Sequence, residues 1–376
     1  MTNEHILLVE DNDFQRQVLK QMLLYAGYHH VNVVNDGLEA LAYMERAVPD
    51  LVITDLEMPG MRGIELCRRM KASTRLKSIP ILVQTAMNDE ETKNNIFNEG
   101  IDDFMPKPLN TAEFIARIQL HLERAALTKR LSEFHQRLNH ELHTAAETLK
   151  TIFPTSQKLR DIQTDYGVEI TAYSKASSEL GGDYWGVEAL DASRYLIYIV
   201  DFSGHGVAAA LNTFRLHMLM SRNLHQFVDA GSYLTLLNHV LEAQLPDDQF
   251  ATMFLGIVDT SRAELTYASA GAPSPLLLGP EDRIAFLPSD GIPLGAFPHS
   301  QYETRQCDFP KGSDLFLYSD ALYESQDKQG RILDMLSVVD MLHEIRSLEI
   351  LQTYVQTQYH ENWPDDLTML YAKYLS

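Results

Sequence analysis

The chain has 376 residues, 45% of them hydrophobic and 22% charged, the composition of an ordinary globular protein with about two to three domains. Its formal charge of −21, from 52 acidic and 31 basic residues, repels phosphate backbones, and no Lys/Arg-rich segment offsets it, which excludes nucleic-acid binding. Cys67 and Cys307 lie too far apart in sequence for a disulfide framework or thiol metal site. The first residues lack a signal-peptide layout and no apolar run reaches the roughly 18 residues of a membrane span, so a cytoplasmic protein without a membrane partner is expected.

In the first third, apolar runs at 6–9, 31–34, 51–54, 79–84 and 101–105 alternate with helical patterns, and one more helix is predicted from 111 to about 123. Such βα repeats predict a parallel sheet covered on both faces. Ligands of such folds collect at the carboxyl ends of the strands. Glu10 and Asp11 follow the first run, Asp55 ends the third, Thr85 follows the fourth and Lys107 the fifth. Clustered carboxylates suit a hard divalent cation, and a lysine neutralises an added anion.

The segments LLVEDND, VITDLEMPGMRG, VQTA and DFMPKP resemble the response-regulator receiver domain of two-component signalling, placed at residues 1–123. The resemblance implies a flavodoxin-like doubly wound fold, with phosphorylation of Asp55 by a cognate sensor histidine kinase. Mg²⁺ would be bound by Glu10, Asp11 and the Glu57 carbonyl. Thr85 and Lys107 would contact the phosphoryl group, with Phe104 as the switch aromatic. Glu10 stands where the family more often has aspartate.

Residues 124–155 read as a connecting rod. Leu127, Leu131, Phe134, Leu138, Leu142, Ala145, Leu149 and Ile152 step by four and three, with a doubled four after Leu138. That is a coiled-coil seam with one stutter, predicting a parallel homodimer. Pro154 ends it. His140-Glu141-Leu142-His143 is one residue too short for a zinc motif and reads as solvated helix surface.

Beyond the rod, strands are predicted at 168–173, 195–200, 250–258, 264–268, 276–278, 315–318 and 367–374. Helices are expected near 207–227, 232–245 and 334–359. Runs of strands with segregated helices suggest an antiparallel α+β sandwich. Asp183 follows a Gly-Gly pair, Asp201 and Asp320 close apolar strands, and Asp365 and Asp366 open the last one. Acids leaving separate hydrophobic strands suggest one oxygen-rich site for Mg²⁺ or Mn²⁺.

GGDYW, VDFSGHGVAAA, FATMFLGIVD, SAGAPSPLLL, GIPLG, LFLYSDALYES and PDDLTML together resemble the stress-response and sporulation branch of the metal-dependent (type 2C) serine/threonine protein phosphatases, placed at residues 156–376. The resemblance implies an α-β-β-α sandwich holding two Mn²⁺ or Mg²⁺. Asp183, Asp201 and the Phe202 carbonyl would hold one ion, and Asp201, Asp320 and Asp365 the other. A metal-bound water held by Asp183 and Asp201 would attack the phosphate ester. Asp290, in a Ser-Asp-Gly triplet, competes with Asp320 for the third place, and Asp366 with Asp365 for the last. Gly186 stands where the pattern has a second acid, Ala321 replaces a glycine and Ala272 a histidine. The implied substrate is a phosphorylated STAS-type anti-sigma-factor antagonist. The competing reading is a non-catalytic adaptor that binds a sigma factor or its regulators.

Overall fold

The structure, a computed structural model, describes residues 2–85, 101–224, 228–246, 248–280, 283–359 and 363–375. Ala86 of the VQTA segment, the helix expected between the fourth and fifth strands and the end of the helix predicted to 227 lie outside them. The chain divides into two compact units, Met1–Leu138 and Asn139–Ser376.

In the first unit β1 (Thr2–Val9), β2 (Tyr28–Val34), β3 (Leu51–Asp55), β4 (Ile81–Thr85) and β5 (Asp103–Pro106) form a parallel sheet in the order β2-β1-β3-β4-β5. The first four residues of β3 are all buried, as a sheet covered on both faces requires. Helices α2 (Gly37–Arg46) and α3 (Gly63–Ala72) cover one face over Leu7, Val9, Val52 and Val83. Helix α1 (Asp13–Tyr25) and the first turns of α4 (Thr111–Lys150) cover the other, through Leu19, Leu23, Phe114 and Ile118. Asn12 and Asp36 cap α1 and α2 by accepting backbone N–H bonds, which also fixes where the preceding strand ends release their loops. Strand β4 starts at Ile81, later than the predicted 79, because Pro80 has no N–H for the ladder.

The helix predicted to about 123 and the rod are one element, α4, 40 residues long. Leu127, Leu131, Phe134 and Leu138 on its seam are 41–68% exposed. Near its end Leu149 packs with Ile152 against the core of the second unit.

The second unit is two antiparallel five-stranded sheets. One runs β13 (Arg305–Asp308), β10 (Glu264–Ala270), β9 (Ala251–Asp259), β8 (Arg194–Phe202), β7 (Tyr184–Ala189). The other runs β12 (Ile284–Phe286), β11 (Leu276–Leu278), β14 (Asp314–Tyr318), β15 (Leu367–Tyr374), β6 (Val168–Lys175). Val187, Tyr195 and Ile197 of the first meet Ile170, Leu317 and Leu370 of the second, forming the central core. Helices α6 (Val207–Asn223) and α7 (Ala230–Glu242) close one outer face. Helices α8 (Ala321–Glu324), α9 (Met335–Ile345) and α10 (Leu348–Gln358) close the other. The expected α-β-β-α layering is therefore present. Helix α5 (Ser156–Tyr166) was not predicted, though Thr155 at its N-cap and left-handed Gly167 at its end bracket it as such residues do. The helix predicted over 334–359 is two, because Arg346 turns left-handed and Ser347 caps a new start.

Candidate functional site

In the first unit the strand ends bring Glu10, Asp11 and Asp55 together, with ligand oxygens all within 4.8 Å of one another. It is the one such three-acid group among the described residues. Lys107 Nζ donates to Asp55 Oδ2 at 2.5 Å and to Gln15 Oε1 at 2.7 Å, and lies 3.6 Å from Glu10 Oε2. Glu10 is fully buried, and desolvation raises its pKa against the opposing pull of Lys107. One of its oxygens, Oε2, has no hydrogen-bond partner. Thr85 is buried at the end of β4 and Phe104 is partly buried on β5. Glu57 is exposed, two residues past Asp55, and its N–H points at Asp55 Oδ1 from 3.4 Å.

Gly63 makes this loop possible. A Cβ there would lie 2.0 Å from the Asp55 carbonyl oxygen, so any side chain would push α3 off the end of β3. Gln15 escaped the sequence reading. Nothing in its neighbourhood marks it, since only the fold brings α1 across to Lys107.

In the second unit the aspartates converge without forming so tight a group. Asp183, just before β7, is 7% exposed, and both of its oxygens lack a hydrogen-bond partner. The hydroxyls of Ser319 and Thr368 lie near enough to temper its charge, yet they donate elsewhere, to the Asp366 carbonyl and to Ser174 Oγ. Burial drives the Asp183 pKa well up, and the charges of Asp201 and Asp366 add to it. Asp201 near the end of β8 is pushed up to about 8, by burial first and then by Asp320, Asp365 and Asp366. Asp320, at the start of α8, and Asp365, before β15, are raised by burial and then by neighbouring acids. Asp201 is thus coupled to every other acid of the group.

Asp366 has a different job. It accepts N–H bonds from Ser177, at 2.7 Å, and from Gly182, pinning the loop that leads to Asp183. Asp290 sits apart: it is exposed and held by Arg305, whose guanidinium grips both carboxylate oxygens and keeps its pKa low. His205 is exposed and lies near Asp365. Gly186 pairs with Tyr198 across β7 and β8, and a Cβ there would lie 2.2 Å from Tyr198 Oη. The position faces a tyrosine core rather than the acids.

The chain thus holds two acidic centres, one at the strand ends of a parallel α/β sheet and one in an antiparallel sandwich. Residues 6–119 match the response regulator receiver domain, and residues 191–375 match the stage II sporulation protein E family. The chain therefore carries a receiver domain and a domain of the stage II sporulation protein E type. Response regulator MprA of Mycobacterium leprae is 37% identical over 119 residues, 32% of this chain and 51% of that protein. Phosphoserine phosphatase RsbP of Bacillus subtilis is 29% identical over 161 residues, 42% of this chain and 40% of that protein. The chain thus spans about half or less of the length of these curated relatives. The SiaA-PP2C domain of Pseudomonas aeruginosa shares the fold, with a TM-score of 0.56 at 20% identity over 64% of this chain and 98% of that one.

Proposed function

We propose that this chain is a two-component response regulator whose output is metal-dependent dephosphorylation of phosphoserine or phosphothreonine on a protein, controlled by phosphorylation of Asp55. The observation that carries the reading is Asp183, a carboxylate sealed from water with neither oxygen bonded. Such a group is unfavourable by several kcal/mol unless it is protonated or meets a cation. The donor set around it is all oxygen and all acidic, which fits Mn²⁺ or Mg²⁺. Asp183, Asp201 and the Phe202 carbonyl would hold one ion, and Asp201, Asp320 and Asp365 the other. Asp366 is spent on backbone N–H groups and Asp290 on Arg305, which favours Asp365 and Asp320 for those places. When bound, the ions would lower the pKa of a shared water and offset charge on the phosphoryl oxygens.

The chain's own part is to orient. Asp201 lies in the field of all the other acids, as a bridging ligand must. Asp366 fixes the loop before Asp183, and His205 stands at the exposed rim beside Asp365. In the receiver, Glu10, Asp11, Asp55 and the Glu57 carbonyl would hold Mg²⁺; the unpartnered Glu10 Oε2 supports this. Phosphorylation adds about 1.5–2 negative charges beside Lys107, drawing it and Thr85 to the new group and moving Phe104.

A phosphoserine substrate accords with the similarity to a phosphoserine phosphatase. We assign as substrate a phosphorylated STAS-type anti-sigma-factor antagonist, with a sensor histidine kinase as phosphodonor, all in the cytoplasm. The exposed Leu127, Leu131, Phe134 and Leu138 favour a homodimer through α4. Mn²⁺-dependent hydrolysis of p-nitrophenyl phosphate, wild type against Asp201→Asn, with and without beryllofluoride on the receiver, tests the reading. A wild type no faster than the variant overturns catalysis, and rates indifferent to beryllofluoride overturn control.

A further inference from the structure

Neither oxygen of the proposed metal ligand Asp183 accepts a hydrogen bond of good geometry, although the residue is only 7% exposed. A cavity of about 350 Å³, lined by Leu149, Phe153, Gly181, Asp183 and Trp185, lies on one side of it. The next residue in the chain is bonded on three sides.

Tyr184 is 1% exposed. Its Oη lies 2.8 Å from Tyr198 Oη, 2.7 Å from His217 Nδ1 and 3.4 Å from the Ile152 carbonyl oxygen. The phenol has one proton to give and two lone pairs. The Ile152 oxygen is the one neighbour that only accepts. All three contacts are satisfied together when Tyr184 donates to Ile152 and receives protons from Tyr198 and from His217 Nδ1–H. Ile152 lies in the turn that closes α4, where carbonyls have lost their helical donors. The rings reinforce the bonds: Phe153 meets Tyr184 edge-on at 5.5 Å and His217 does so at 5.9 Å. The network also fills the place opposite Gly186, where the resembling family has an acid.

We infer that Tyr184 is a positioning residue: the Tyr184–Tyr198–His217 hydroxyl and imidazole network fixes the strand start that delivers Asp183 and ties it to the end of α4 at Ile152. This rests on the metal-dependent reading above and adds to it the device that sets metal affinity.

The test uses the full chain and two readouts, direct Mn²⁺ binding by calorimetry and Mn²⁺-dependent hydrolysis of p-nitrophenyl phosphate. Tyr184→Phe and Tyr198→Phe keep the rings and remove one hydroxyl each. Tyr195→Phe is the matched control, because its buried hydroxyl on β8 has no partner. The expected result is Mn²⁺ binding about tenfold weaker in Tyr184→Phe, the size of effect seen when a ligand's outer support is lost, with kcat at saturating Mn²⁺ within about twofold of wild type. Tyr198→Phe should show the same split more weakly. His217→Leu should weaken binding and His217→Asn, which keeps a donor near Nδ1, should restore it. Equal Mn²⁺ affinity in Tyr184→Phe and wild type, or equal losses in Tyr184→Phe and Tyr195→Phe, would overturn the inference. A wild type that binds no Mn²⁺ would instead remove the phosphatase reading beneath it.

Discussion

The two acidic centres solve the same electrostatic problem in opposite ways. The receiver gathers three carboxylates within 4.8 Å and places Lys107 among them, so the chain itself offsets one of the three charges. The second unit sets Asp201 in the field of Asp183, Asp320, Asp365 and Asp366, and burial there works against charge. Asp201 rises to about 8, and Asp183 is driven up without a single bond to its oxygens.

That contrast breaks first at Asp201. If Asp201 bridges two ions as proposed, Asp201→Asn should lower Mn²⁺-dependent hydrolysis by about a thousandfold, whereas Lys107→Ala should leave basal hydrolysis intact and abolish its response to beryllofluoride. Steady-state rates on p-nitrophenyl phosphate separate the two.

The pH dependence of metal-free stability sharpens the comparison next. Asp183 and Asp201 have folded-state pKa values above those of the unfolded chain, so the folded state keeps protons the unfolded state has released. The contribution of these two groups to stability is therefore fully present below the usual carboxylate range of about 4 and is lost as pH rises through the window up to about 8. The Tm of the sandwich should fall between pH 5 and pH 8 without metal, and Mn²⁺ should raise it more at pH 8 than at pH 6. A flat metal-free profile would mean that the acids are solvated and the contrast false.

Smaller effects follow at the decoys. Gly186→Asp should destabilise the sandwich by about 2–4 kcal/mol without raising activity, because the new carboxylate would be forced onto Tyr198 in an apolar core. Chemical denaturation reads the loss. Asp290→Asn should leave hydrolysis unchanged and barely alter stability, because its ion pair with Arg305 is exposed. A large loss of rate there would move the third ligand from Asp320 to Asp290.

Much of this was legible in the residues. The receiver is readable because each functional side chain sits at the end of a short apolar run, where a parallel sheet must put it. The sandwich is readable at Asp183, Asp201 and Asp320 for the same reason. Edge strands β7 and β12 were not, because β7 is buried along its first four residues without alternation and β12 is exposed throughout. Nor was the division of labour between Asp365 and Asp366. Their order in the chain is silent on which one faces Ser177 and Gly182, a contact between residues more than 180 apart. Tyr184 sits inside the GGDYW segment, but nothing there points to its hydroxyl, whose three neighbours come from separate elements.

Helix α4 has neither glycine nor proline from Thr111 to Lys150, so no residue within it offers a hinge. In such a segment length and phase are the same variable. Each residue removed turns everything downstream by about 100°, while a seven-residue deletion returns it to within about 20°. Chimeras that graft another receiver onto this output domain should therefore be chosen by heptad phase, not by distance.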